Sequence, residues 1–201
     1  DVALPTEYAY KSKSEGGIWE EGDLRRDESI RYDFTYLGIT PTEVSWGADE
    51  LDPHIKKYED ERTDQFNGNL ANEWYSGKNF IVLRYADVLL CYAECLNELG
   101  ETGQANTIVN QVRARAWGGT LPNEMAWNYG QDEFRTQIMN ERIRELCFEG
   151  WRRMDLIRTG KFVELIKERN SWAKKSGTIK DFHMRYPIPD TEIKNNDDIS
   201  E

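Results

Sequence analysis

From residue 80 onward the hydrophobic positions fall into helical spacing, and before it they do not. In FIVLRYADVLLCYAECLNELG (80–100), Val82, Ala86, Leu89, Leu90, Ala93 and Leu96 form one stripe, and Ile81, Tyr85, Val88, Tyr92 and Leu99 form a second beside it. The polar positions reduce to Arg84, Asp87, Cys91, Glu94 and Glu98. So narrow a polar strip predicts a helix from near Phe80 that is packed on most sides, with Gly100 as its C-terminal cap. A tight ETG turn leads into QANTIVNQVRARA, where Ala105, Ile108, Val109, Val112 and Ala116 repeat at helical spacing. Two helices joined this closely must lie antiparallel.

Gly-Gly, Pro and Asn-Tyr-Gly make WGGTLPNEMAWNYGQ (117–131) a loop. Asp132 can then cap a third helix running to about Glu149, with an inner stripe of Met139, Ile143, Leu146 and Cys147 led by Phe134 and Ile138. WRRMDLIRTGKFVELIKERNSWAKK predicts one or two shorter helices broken at Thr159-Gly160. The tail HMRYPIPDTEI reads as extended, because Pro187 and Pro189 push their predecessors out of the helical region. Upstream, residues 1–78 are rich in glycine, charge and aromatic residues, with turn signals at Gly16-Gly17, Thr40-Pro41, Asp52-Pro53 and Asn67-Gly68. Short strands fit where IRYDFTYLGI alternates, with Ile30, Tyr32, Phe34 and Tyr36 on one face. The expected architecture is mainly α: one compact domain with a loop-rich region (1–78), a helical region (79–201), long irregular loops and a few short strands. The Leu-Asn-Glu-Leu-Gly cadence of the first helix pair, with Gly103 and Ala105 following, resembles a tetratricopeptide repeat. The second pair (132–172) matches by shape alone.

Hydrophobic residues make up 38% of the 201 and charged residues 31%, enough for a core under a very polar skin. The net charge of −11 would repel a phosphate backbone or an anionic lipid surface, which sets nucleic acid aside. No stretch approaches the roughly 20 apolar residues of a membrane span, and DVALPTEYAY lacks the features of a signal peptide. Either the protein is intracellular or the chain is a processed or truncated piece. Cys91, Cys95 and Cys147 have neither redox-pair nor zinc-ligand spacing and read as unpaired thiols in packing roles.

The segment NERIRELCFEGWRRMDLIRTGKF (140–162) carries the densest charge. Glu141 with Arg144, Arg142 with Glu145, and Glu149 with Arg152 or Arg153 fall at the i, i+3 or i+4 spacing at which helical side chains meet. Such pairs neutralise each other, and adjacent guanidiniums lower a carboxyl pKa, the opposite of what a glycosidase acid needs. Arg142 and Arg152 flank apolar Leu146, Phe148 and Trp151, so these residues read as partly buried structural ion pairs. His54 and His183 sit near no recognised nucleophile motif, and the chain has no GxSxG, phosphate-binding loop or HExxH. No catalytic residue, cofactor or metal is indicated, beyond acidic runs such as Glu59-Asp60-Glu61 or Asp197-Asp198 that suit loose calcium contact.

Binding is the better prospect. Trp46, Trp74, Tyr75 and Trp127 lie in segments read as loops, each near Asn, Asp or Glu residues. A flat ring covers the apolar face of a sugar while neighbouring polar groups bind its hydroxyls.

Four blocks then carry a resemblance. LRYADVLLCYAECLNELG (83–100), VRARA (112–116), ERIRELCFEGWRRMDLIRTGKF (141–162) and YPIPDTEI (186–193), in this order, resemble the C-terminal half of the SusD/RagB family of Bacteroidetes outer-membrane nutrient-binding lipoproteins. The similarity spans roughly residues 79–193, with fainter echoes at Asp23-Leu24-Arg25 and Lys56-Lys57-Tyr58. It implies a SusD-like fold, a fragment of a longer lipidated protein and a surface-exposed outer-membrane location. It also implies oligosaccharide or other nutrient as ligand, a SusC-like TonB-dependent transporter as partner, and a membrane contact made only through a lipid anchor absent from this chain. The final KNNDDISE departs from the family's usual closure. The alternative is a helix-pair scaffold that grips a protein partner and has no small-molecule ligand of its own.

Overall fold

The computed structural model describes residues 4–32, 34, 52–59, 78–196 and 198, and it divides into two compact units, 1–155 and 156–201. Trp46, Trp74 and Tyr75 lie outside the described residues, as does most of the alternating segment after Tyr32.

The centre of the first unit is an antiparallel pair, α3 (Tyr85–Glu98) and α4 (Thr102–Ala116), preceded by short helices α1 (Glu7–Tyr10) and α2 (Arg25–Ser29). Gly100 turns the chain in the left-handed region (φ 86°), and Glu101 donates its backbone N–H to Leu96. Helix α4 begins at Thr102, inside the ETG sequence and two residues earlier than expected. Leu90, Ala93 and Leu96 of α3 meet Ala105, Val109, Val112 and Ala116 of α4 in the core, and α5 (Gln131–Glu145) adds Phe134, Ile138 and Met139. Predicted and observed cores agree from Leu90 onward because the i, i+3, i+4 spacing fixes which side of each helix is apolar, but Val82 of the expected stripe lies ahead of the helix and is 72% exposed.

The second stripe of α3 behaves differently. Tyr85 is 73% exposed, Tyr92 50% and Leu99 78%, with Val88 also open, so the helix is not packed on most sides. Hydropathy marks a face as apolar but does not supply the neighbour that covers it. The helix also starts at Tyr85, not near Phe80: Arg84 is extended (φ −140°, ψ 159°). Its side chain is held by distant carboxylates, described below, and residues 80–83 do not continue the helix.

Helix α5 is entered from extended Gly130, and Asp132 lies inside its first turn with no capping bond, where its charge favours the helix dipole. The helix ends at Glu145, a turn short of Glu149, because the chain reverses through Phe148 (φ 64°) and Gly150 (φ 86°). A non-glycine residue in the left-handed region is strained and persists only where its surroundings hold it. Phe148 packs with Ile143 against a second cluster of Ile18, Trp19, Ile30 and Cys147. A two-stranded antiparallel ladder, β1 (Ile30–Arg31) with β2 (His54–Ile55), pairs Ile30 with Ile55 and Arg31 with His54.

Helix α6 (Trp151–Arg158) runs from the first unit into the second, which holds α7 (Phe162–Arg169), α8 (Ser171–Ser176) and α9 (Asp190–Asn195). The expected break appears at Gly160 (φ 69°). A second break falls at Asn170, whose side chain caps α8 by accepting the Ala173 N–H at 3.0 Å. Residues 185–189 are extended as the prolines require, but Asp190 onward turns helical after Pro189, with Asp190 and Glu192 in the first turn.

Candidate functional site

The last turns of α5 and the reversal after it place three carboxylates, Glu141, Glu145 and Glu149, in the interior of the first unit. Glu141 is 0% exposed and accepts from Arg25 (Nη1, 2.7 Å), Arg113 (Nη1, 2.9 Å) and Arg144 (Nη2, 2.7 Å). Glu145 accepts from Arg25 at 2.9 Å and from Arg84 and Arg115, while Glu149 accepts from Lys57 at 2.7 Å and from Arg84 Nε at 2.8 Å. Asp23 braces Arg25 through two contacts of 2.6 and 2.9 Å, and Glu20 holds Arg113 at 2.6 Å. Burial by itself would raise the Glu141 carboxyl, but Arg25, Arg144 and Arg113 outweigh it and hold the group well below the usual carboxylate range. Glu145 is lowered in the same way, burial opposing and Arg25 and Arg84 prevailing. Arg25 is correspondingly raised, despite its burial, chiefly by Glu141.

Of the local pairs expected in this segment, Glu141–Arg144 forms. Arg142 instead bridges Asp87 and Asp155, each at 2.8 Å, and Glu149 turns to Lys57 and Arg84. Arg152 donates to the Met139 carbonyl at 3.1 Å, which ties α6 to α5, and Arg153 is half-buried beside it. The partners that spacing missed were nonetheless visible as motifs. Arg84 and Asp87 belong to LRYAD, Arg113 and Arg115 to VRARA, Asp23 and Arg25 to Asp-Leu-Arg, and Lys57 to Lys-Lys-Tyr. Each block contributes charge to one interior network. Glu141 and Glu145, both held below the usual carboxylate range by these guanidiniums, accept hydrogen bonds and are not poised to donate a proton.

Arg113 links this network to the surface. Its Nε and Nη2 donate to the Met125 carbonyl at 3.1 and 2.7 Å, and two asparagines one turn apart extend the grip along α4. Asn110 accepts the Trp127 N–H (2.7 Å) and donates to its carbonyl (3.0 Å); Asn106 does the same for Tyr129 (3.2 and 2.9 Å). The side-chain amides thus pair with the 125–129 loop much as a neighbouring strand would. Trp127 is only 4% exposed in consequence. Its ring meets Phe134 edge-on at 5.6 Å, Tyr129 at 5.1 Å and the Arg113 guanidinium at 5.4 Å. Its indole N–H finds no acceptor among the described residues.

Beside this loop lies an open cleft of about 400 Å³, bounded by residues 12–21, by Arg113 and by residues 124–129. Its wall is a tight turn in which Ser12 accepts the Gly17 N–H and Lys13 donates its N–H to the Trp19 carbonyl at 2.6 Å. Gly17 is required there, since a Cβ would sit 2.0 Å from the Lys11 carbonyl oxygen. Trp19 is anchored by its indole N–H on the Ala9 carbonyl at 2.5 Å. Tyr129 is half-buried in the cleft, and burial, with Glu20 adding, raises its phenol pKa.

This arrangement can be set against known proteins. The SusD family model matches residues 6–201, well upstream of the blocks that first suggested it. The chain belongs to the SusD family. A SusD-like protein of Formosa agariphila is 40% identical over 155 residues, covering 74% of this chain and 28% of that protein. The starch-binding protein SusD of Bacteroides thetaiotaomicron is 27% identical over 152 residues, covering 73% of this chain and 25% of SusD. A crystal structure of a SusD homolog from Bacteroides thetaiotaomicron superposes with a TM-score of 0.64 at 23% identity, over 86% of this chain and 39% of the other. The chain therefore has the SusD fold and spans less than a third of the length of these two sequence relatives. Among the described residues of this SusD-family chain, no group of three or more His, Cys, Asp or Glu is gathered to hold a metal, and no helix is long and apolar enough to cross a membrane.

Proposed function

We propose that the chain is part of a non-enzymatic, glycan-binding component of an outer-membrane uptake system, which captures oligosaccharide and passes it to a SusC-like TonB-dependent transporter. The observation that carries this reading is the family match over residues 6–201, together with a relative named for binding starch. The interior network adds support, because its carboxylates are neutralised by guanidiniums and organise the fold instead of acting on a substrate. A lipid anchor on the cell surface is part of the proposal, and family membership supports it. Trp46, Trp74 and Tyr75 are proposed as the stacking platform. Trp127 contributes by fixing the loop that carries Tyr129, its own ring being covered.

Calorimetric titration of the native protein, isolated from outer membranes, with a panel of oligosaccharides tests the proposal. Saturable binding by at least one glycan is expected, and failure of every glycan refutes it. The second reading, a helix-pair scaffold for a protein partner, is favoured by the open stripe of Tyr85, Val88, Tyr92 and Leu99 on α3. It predicts saturable association with the transporter and none with glycans.

A further inference from the structure

We infer that the cleft between residues 12–21 and the 124–129 loop is a glycan subsite selective for uncharged sugars over acidic ones. The inference rests on the glycan-binding reading above and adds a location and a substrate class to it.

The cleft has groups to offer. Among the described residues, the Tyr129 hydroxyl and the carboxylates of Glu21 and Glu124 make no hydrogen bond or ion pair, and the Lys13 ammonium meets only Glu20, at the 4.0 Å limit. Carboxylates accept from sugar hydroxyls, the ammonium donates to them, and the phenol can do either while its ring covers a patch of C–H groups. The walls that hold these groups are rigid. Trp19 is tied to Ala9, the Ser12–Gly17 turn closes on itself, and Asn106 clamps Tyr129 through two backbone bonds. With the backbone of the walls held in this way, an entering ligand has to order only the side chains that meet it.

The selectivity comes from the charges. Arg113 is the one guanidinium lining the cleft, and its fork is already engaged by the Met125 carbonyl, Glu20 and Glu141. With its charge matched by Glu20 and Glu141, the rest of the lining holds Glu21 and Glu124 against Lys13 alone. A uronate or sulfate would approach two free carboxylates with no bidentate cation to receive it. A neutral sugar meets no such opposition.

The test titrates the native protein with neutral hexasaccharides (malto-, cello-, xylo- and manno-) and with two acidic ones, oligogalacturonate and oligoalginate. At least one neutral sugar should bind and both acidic ones should bind at least tenfold more weakly. Tyr129→Ala should weaken the neutral sugar tenfold or more, and Tyr129→Phe, which keeps the ring and the fold, should weaken it several-fold. Glu21→Lys combined with Glu124→Lys should shift preference toward oligogalacturonate. Neutral binding that survives all these changes would overturn the subsite while leaving glycan capture standing. Tighter binding of an acidic sugar by the unaltered protein would overturn the selectivity, and binding of no sugar would overturn both readings.

Discussion

Replacing Glu141 by Gln probes the interior network at its most connected point. The substitution keeps size and shape but removes the charge that three guanidiniums share, and it turns an NH2 group toward at least one of them. The cations are not wholly abandoned: Arg25 keeps Asp23 and Glu145, Arg113 keeps Glu20 and the Met125 carbonyl, and Arg144 keeps the Ile18 carbonyl. Removing one partner of a buried ion pair costs about 3 to 5 kcal/mol, and the full burial of Glu141 places the change in that range. For a chain of this size that corresponds to a fall in Tm of roughly 6 to 20 °C. Urea unfolding followed by circular dichroism reads the difference, and a loss below about 1 kcal/mol would refute the interior role. The pH dependence gives an independent check. Because the folded Glu141 carboxyl lies below its unfolded value, near 4.3 for an unperturbed Glu, the unfolded chain binds the extra proton. Its contribution is complete above about pH 5 and is lost as the pH falls from there toward the folded value. The wild-type chain should therefore lose stability between about pH 5 and pH 3 more steeply than the Gln variant, and parallel curves would contradict the assignment.

Other expectations follow from the same contacts. Arg113→Lys keeps the charge but cannot reach Met125, Glu20 and Glu141 together, so it should cost about 2 to 4 kcal/mol and raise hydrogen exchange in residues 125–129. Asn106→Ala and Asn110→Ala each remove two hydrogen bonds to the loop; at about 1 kcal/mol per bond, each should cost about 2 kcal/mol and speed exchange of the Tyr129 and Trp127 amides respectively. Val88→Lys with Tyr92→Glu should leave the helicity and the urea midpoint of the chain nearly unchanged in circular dichroism, since both side chains are exposed, and a large loss would contradict that exposure.

How these residues meet was only partly written in the local pattern. The α3–α4 hairpin could be read directly, because Gly100 and the short turn force antiparallel packing and the apolar spacing selects Leu90, Ala93, Val109 and Val112. The charged face of α5 was read as pairing along its own helix, and Glu141–Arg144 does so. Its other partners come from residues such as Arg25, Arg84 and Arg113, far away in sequence, and helical spacing carries no information about them. The motifs LRYAD, VRARA, Asp-Leu-Arg and Lys-Lys-Tyr held that information, since each brings its own charge to the network. The glycine and proline around Trp127 mark its segment as a loop but not how deep its ring sits; Asn106, Asn110 and Arg113, polar residues at helical spacing on α4, draw that loop inward. The cleft was not legible at all, because its Lys13, Glu124 and Tyr129 become neighbours only through the fold.

The central claim is that this SusD-family chain serves glycan capture without chemistry. The most direct measurement incubates the full-length native protein with a polysaccharide panel, reading saturable retention and reducing-end release from the same samples. Retention of at least one polysaccharide with release no greater than in buffer is expected. Release above buffer, or retention of none, would contradict the account.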